Sequence, residues 1–278
     1  MRQVLRIILI ILFLAVTLSP LHGQNGTSGR RPQYVASSFL PSDLGNFQIW
    51  LEPENISPQT DGTAVGTWPN SSGTGSGYDA TQSTSANKPT LKTNIVNGKN
   101  VVRFDGTNDE MSTSSGRTLC NGSGEASVYL VVNDSTPNPG AGVAANWLFA
   151  DDGGGFTLWE LSRYNSATSA RFRGFNTAAT SFAAQETVSA STWHVLATVR
   201  SASSVQFWVD NASASGSTAT TGTNQSSTRP LRLGSNGFGG NLVTCDMGDV
   251  LVYAAAHTTT ERQNVQTYLA TKYNIALN

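Results

Sequence analysis

The sequence predicts an all-β protein, a two-sheet antiparallel β-sandwich with one short C-terminal helix. Three observations lead there. Beyond the first three dozen residues, short apolar or aromatic runs alternate with turns rich in Gly, Ser, Asn and Pro, the pattern of strands stacked into a sandwich or barrel. Charged residues make up only 13% of the chain and aromatics 9%, a balance a disordered chain does not have. A helical pattern with a start signal stands out at one place, near the C-terminus.

The chain opens with Arg2 and Arg6 ahead of an apolar run, Ile7–Leu18, that ends at Ser19-Pro20-Leu21-His22-Gly23. This is the layout of a signal peptide over residues 1–23. The run has 12 residues, short of the roughly 18 or more that a membrane-spanning helix needs. The expected destination is therefore the secreted, cell-surface or periplasmic space, with no membrane insertion after cleavage. Without residues 1–23, 15 Lys+Arg stand against 18 Asp+Glu. That balance gives no basic footprint for nucleic acid or an anionic membrane. Residues 24–36 read as a flexible leader and residues 37–278 as one domain, with no repeat or composition shift inside it.

The clearest strands are Phe47–Leu51, Val101–Asp105, Ser127–Val132, Trp147–Ala150, Phe156–Arg163, Arg171–Asn176, Trp193–Arg200, Val205–Asp210, Leu231–Gly234 and Met247–Tyr253. In Val205–Asp210, alternation turns Val205, Phe207 and Val209 to one face and Gln206 and Trp208 to the other. The same reading of Trp193–Arg200 sends Val195, Ala197 and Val199 inward and His194, Thr198 and Arg200 outward, the two segments forming a hairpin. Ser213–Ser227 is a Ser/Thr/Gly tract without apolar anchors and reads as a long surface loop. Thr258-Thr259-Thr260-Glu261 is a capping box; Val265, Tyr268, Leu269 and Tyr273 follow at helical spacing, a stripe expected to pack on an edge or end of the sandwich.

Several landmarks recur in order along this chain: Ile49-Trp50-Leu51, Asp61-Gly62-Thr63, Thr67-Trp68-Pro69-Asn70, Asp79-Ala80-Thr81 and Lys88-Pro89-Thr90. Val101-Val102-Arg103-Phe104-Asp105-Gly106-Thr107-Asn108-Asp109 comes next, followed by Trp193-His194-Val195, Phe207-Trp208-Val209-Asp210-Asn211, Leu231-Arg232-Leu233-Gly234 and Gly248-Asp249-Val250-Leu251-Val252-Tyr253. With them the chain resembles the concanavalin A-like, laminin G-like jelly-roll modules of the lectin/glucanase superfamily found in bacterial-type surface and secreted proteins. It departs from that pattern at Asn211-Ala212 and at Ala254-Ala255-Ala256.

The resemblance implies a jelly roll and a choice among functions, since fold alone assigns none. Glycosidases on this sandwich set carboxylates at alternate positions of one strand, about 5 Å apart when they retain configuration. This chain has no such motif; its nearest candidates are Asp246 with Asp249, spaced by three, and Asp151-Asp152. The first expectation is therefore a non-catalytic module that binds a glycan or another surface polymer, or serves adhesion. A structural protein that self-associates or uses the sandwich for protein contacts is the alternative, and a polysaccharide-degrading enzyme the third.

Sugar binding combines aromatic faces with planar polar groups. The candidates for it are Trp208, Trp159, Arg163, Arg171, Arg173 and Gln206, with Trp50, Trp68, Trp147 and Trp193 assigned to the core. Trp159 and Arg163 face outward if Phe156 and Leu158 face the core. Calcium is the one cofactor weighed, and Asp105 and Asp109 are its weak candidate ligands. The same two carboxylates also fit a plain polar turn after the strand. Cys120 and Cys245 are the candidate disulfide of an exported chain.

Overall fold

Alternating apolar residues and positive-φ turns divide the chain into strands. The structure, a computed structural model, describes residues 39–114, 118–120, 124–137, 139, 143–151, 157–164, 169–175, 181–212, 215–218, 230–237 and 240–278. All belong to the unit Phe39–Asn278; the leader segments, Asp152 and Phe156 lie outside the described residues. The strands are β1 (Phe47–Leu51), β2 (Thr67–Trp68), β3 (Ala80–Thr81), β4 (Thr90–Val96), β5 (Lys99–Asp105), β6 (Met111–Ser112), β7 (Ala126–Asp134) and β8 (Ala144–Asp151). They continue with β9 (Thr157–Tyr164), β10 (Ser169–Phe175), β11 (Ser181–Thr187), β12 (Trp193–Arg200), β13 (Ser204–Val209), β14 (Ser215–Thr218), β15 (Leu231–Leu233) and β16 (Thr244–Tyr253), followed by helix α1 (Thr259–Tyr273).

Two antiparallel sheets result, the jelly-roll sandwich that the sequence predicts. The first runs β14-β13-β12-β7-β16-β5-β4, with β1 also paired to β16. The second runs β11-β10-β9-β8-β15-β6-β3-β2. Between them lies the main core. Leu130, Val132, Leu196, Phe207, Val250 and Val252 of the first sheet meet Trp147, Leu148, Trp159, Leu161, Phe172 and Leu231 of the second.

A second apolar cluster covers the other face of the first sheet. Phe47, Trp50, Tyr129, Val131, Val195, Ala197, Leu251 and Tyr253 pack there with Val265, Leu269 and Tyr273 of α1. The helix thus lies on a sheet face rather than on the edge or end expected of it. Its capping box forms as predicted: Glu261 N donates to Thr258 Oγ1 at 3.3 Å and Thr258 N to Glu261 Oε2 at 2.8 Å.

This second core corrects the reading of β12. Val195 and Ala197 face the helix, while Leu196 points between the sheets. Because β12 is buried along nearly its whole length on both faces, apolar residues fill both parities and alternation carries no direction. The β13 reading holds, with Val205, Phe207 and Val209 in the main core. The tract Ser213–Ser227 contains β14, whose Ser215–Thr218 pairs with Ser204–Phe207. An edge strand requires backbone partners on one side only, so a Ser/Gly/Thr sequence suffices.

Helix α1 is held by a polar cluster grafted onto a strand irregularity. The β7–β16 register shifts between Met247 and Val250, and this bulge turns Asp249 toward the helix. Asp249 accepts from Trp50 Nε1 at 3.1 Å, Tyr273 Oη at 2.6 Å and Lys272 Nζ at 2.9 Å. Lys272 also donates to Glu52 Oε1 at 2.9 Å. Gly248 is required here, because a Cβ at that position would stand 2.7 Å from the Tyr273 ring.

Candidate functional site

The second sheet takes in most of the residues that sequence reasoning proposed for ligand contact. Trp159 is fully buried in the main core, its ring 5.9 Å from that of Phe172, so its expected outward orientation is corrected. Alternation in β9 sends Trp159, Leu161 and Arg163 inward and Glu160 and Ser162 to the other face. Arg163 is equally buried; its Nε lies 2.5 Å from Asp134 Oδ2, and its Nη1 donates to Val188 O at 3.1 Å. On the outer face Arg171 Nη2 meets Glu160 Oε1 at 2.5 Å beneath the ring of Tyr164, and both partners are nearly inaccessible. Arg173 reaches the same carboxylate at 3.2 Å and remains partly exposed.

On the first sheet, Gln206 is exposed as expected. Trp208 does point away from the main core, but the guanidinium of Arg262 from α1 lies over its ring at 4.3 Å. The two cysteines are buried and not joined to one another, so this structure does not carry the candidate disulfide. Burial, with Asp134 and Asp246 nearby, pushes the Cys245 thiol well above its usual range.

In the β5 turn the carboxylates serve the backbone. Asp105 Oδ1 accepts from Thr107 N at 2.8 Å, and Asp109 Oδ2 accepts from Asp105 N at 2.9 Å. Gly106 turns there with φ +75°, and a Cβ on it would collide with Thr244 Oγ1. Among the described residues, no group of three or more His, Cys, Asp or Glu is arranged to hold a metal ion.

Burial pushes Asp109 up to about 6, so its protonated form stabilises the fold and that contribution is lost as pH rises through 6. Burial pushes His257 down to about 4, so its neutral form stabilises the fold and that contribution is lost as pH falls below 6.5. The two slopes oppose each other between about pH 4 and 6. Asp109→Asn keeps the acceptor and removes the titration. We expect it to stabilise the protein at pH 8 by on the order of 1 kcal/mol after solvent screening and to be indifferent or harmful at pH 4. Urea melts at the two pH values check this, and equal effects at both would contradict it.

A different constellation emerges where four strands of the first sheet lie side by side. Trp193 of β12 pairs with Asn133 of β7, Asn133 with Asp246 of β16, and Asp246 with Arg103 of β5. Strand neighbours lie about 4.8 Å apart, so these form one row on the face that α1 covers further along. Trp193 is only partly buried, at the margin of the helix-side cluster. Arg103 and Asp246 form a two-pronged pair, Nε to Oδ1 at 2.6 Å and Nη2 to Oδ2 at 2.8 Å, with the Arg103 side chain 47% exposed. The hydrogen bond to Asp246 raises the Arg103 pKa further.

An open cleft of about 380 Å³ adjoins the row, lined by Arg103, Asn133, Ser135, Thr244 and Asp246 above the buried Cys245. Its lining offers a guanidinium edge, a carboxylate, an amide and two hydroxyls, and Trp193 stands next to Asn133 in the row. Planar polar groups that both donate and accept, set next to an aromatic face, suit a polyhydroxylated ring. Sequence reasoning missed this site because its residues come from positions 103, 133, 193 and 246. The available signal was the outward parity of Arg103 beside Phe104, but only the register joins it to the other three.

Comparison with known proteins gives a consistent picture of the fold. A family model described as the concanavalin A-like lectin/glucanases superfamily, of laminin G type, matches residues 105–261. No curated protein matches by sequence. Among solved structures, the binding domain of botulinum neurotoxin serotype D is similar with TM-score 0.56 and 8% identity, over 81% of this chain and 51% of that one. The binding domain of Paraclostridial Mosquitocidal Protein 1 is similar with TM-score 0.55 and 9% identity, over 83% of this chain and 53% of that one. Trypanosoma rangeli sialidase, solved in complex with sialic acid, gives TM-score 0.52 and 11% identity, over 84% of this chain and 34% of that one. The chain thus spans about half the length of the toxin binding domains it resembles. Identities this low speak for the fold alone.

Proposed function

Since the chain belongs to the concanavalin A-like lectin/glucanases superfamily, we propose that it is an exported, non-catalytic carbohydrate-binding module whose ligand lies across the row Trp193, Asn133, Asp246 and Arg103. The observation that carries the reading is that row itself: an indole, an amide and a carboxylate–guanidinium fork on four adjacent strands beside an open cleft. A module of this kind needs no moving parts, because the sheet fixes the spacing and the Arg103–Asp246 fork fixes the direction of its hydrogen bonds. Among the described side chains, three carboxylates that catalysis could draw on are engaged by cations, Asp246 by Arg103, Asp249 by Lys272 and Glu160 by Arg171, which favours binding over catalysis. Asp246 and Asp249 do share a face, since the β16 bulge undoes the opposite facing expected of a regular strand. Among the described residues no helix is long and apolar enough to cross a membrane.

A glycan array followed by calorimetric titration tests the proposal. Arg103→Ala and Asn133→Ala are expected to weaken the best array ligand at least tenfold while leaving the melting temperature within a few degrees. Trp208→Ala, whose ring lies under Arg262, is expected to change stability more than affinity. Full affinity in both row variants, or loss confined to Trp208→Ala, would move the site elsewhere.

A further inference from the structure

The electrostatics of the row constrain the ligand class. We infer that the row takes an uncharged glycan and discriminates against uronic, sialic and sulfated sugars; this rests on the carbohydrate-binding reading above. Each packed element brings charged groups to this face. Around the fork, β5 contributes Arg103 and Asp105, β16 contributes Asp246, and β4 contributes Lys92, which is paired at 2.8 Å with Asp61. Further along the same face stand Lys99 of β5 and, beyond the bulge, Asp249 of β16, which Lys272 holds. β7 contributes only the neutral Asn133; its neighbour Asp134 faces the interior and holds Arg163. β12 contributes Trp193, and the adjacent His194 is buried against Asp210 at 2.6 Å.

Around the fork itself, two cations therefore face three carboxylates, and both of these cations already have a partner. Arg103 is bound through two nitrogens to Asp246, and Lys92 is bound to Asp61. A ligand carboxylate or sulfate reaching the N–H groups of Arg103 that Asp246 leaves free would meet a guanidinium whose charge the fork already balances. It would also lie close to the Asp246 carboxylate, whose side chain is 13% exposed and has little water to screen it. A neutral hydroxyl meets no such conflict. It can donate to the spare lone pairs of Asp246 and accept from the remaining N–H groups of Arg103, leaving the fork intact. The fork thus serves as a recognition element for hydroxyl pairs and as a barrier to acids.

The test uses matched probes. An array should carry galactose-, glucose-, mannose-, N-acetylglucosamine- and N-acetylgalactosamine-terminated glycans beside their sialylated, uronic and sulfated counterparts. The best neutral probe and its acidic counterpart are then titrated by calorimetry into the wild-type protein and into Asp246→Asn. The expected result is neutral binding, an acidic counterpart at least tenfold weaker, and a gap that narrows severalfold in Asp246→Asn and widens again with added salt. Acidic probes that bind as well as neutral ones, with loss in Arg103→Ala, would overturn the ligand class and leave the site standing. A blank array would overturn both. An acidic counterpart that stays equally weak in Asp246→Asn would overturn the charge mechanism.

Discussion

Replacing Arg163 with alanine is expected to destabilise the protein by about 3–5 kcal/mol, the range for removing one partner of a buried ion pair. Arg163 is inaccessible to solvent on β9 of the second sheet, and Asp134, equally inaccessible, stands on β7 of the first. The pair ties the sheets across the core. Its guanidinium also donates to Val188 O and lies 5.5 Å from the Trp147 ring. Asp134 in turn accepts from Thr136 N at 3.0 Å and from the Thr136 hydroxyl. Without Arg163, a carboxylate remains in the core with neutral donors only. At roughly 2–4 °C per kcal/mol for a domain of this size, the melting temperature should fall by about 10 °C. The double variant Arg163→Met with Asp134→Leu is expected to recover much of the loss, because desolvation offsets most of a buried pair's attraction. Thermal melts of the two single variants and the double variant decide the matter. Additive losses would show that the pair is not coupled.

Lys272→Met is the second large effect, expected at about 3 kcal/mol. It leaves Asp249, with no side-chain exposure, and the largely covered Glu52 without their cation. Burial already raises the Glu52 pKa, opposed chiefly by Lys272. With the lysine gone, burial raises Glu52 without that opposition, so the folded state binds more protons and regains stability as pH falls. The deficit measured by urea unfolding should therefore be smaller at pH 5 than at pH 8. Hydrogen exchange in α1 should rise in parallel, because Lys272 and Tyr273 fix its last turn to β16. An equal deficit at both pH values would mean that Lys272 contributes packing rather than charge.

How much was legible in the sequence varies with what each strand faces. β13 could be read directly because only one of its parities is apolar apart from Trp208: Val205, Phe207 and Val209 point to the core and Gln206 to solvent. β12 could not, since the main core and the helix-side core both claim its residues. Trp159 and Trp193 changed places for a related reason. Trp159 lies on a strand whose other face carries Glu160 and Ser162 in a polar cluster covered with Arg171 of β10, so polarity did not mark the exposed side. Trp193 starts its strand at the margin of the helix-side cluster and keeps part of its surface. The turn after β5 was read correctly as a polar turn because Asp105 and Asp109 bond amides a few residues away. The bulge at Gly248-Asp249 left no signal in strand periodicity, yet it decides where α1 is anchored. The binding row is a matter of register between distant segments, and spacing along the chain does not encode that.

The most direct test of the central claim is a ¹⁵N NMR titration of the protein with the neutral glycan that scores highest on the array. The Trp193 indole N–H, the Asn133 side-chain amide and the Arg103 Nε–H are expected to shift together, while the Trp208 and Trp50 indoles hold their positions. Shifts centred on Trp208, Gln206 or Arg173, with the row unmoved at saturating ligand, would contradict it.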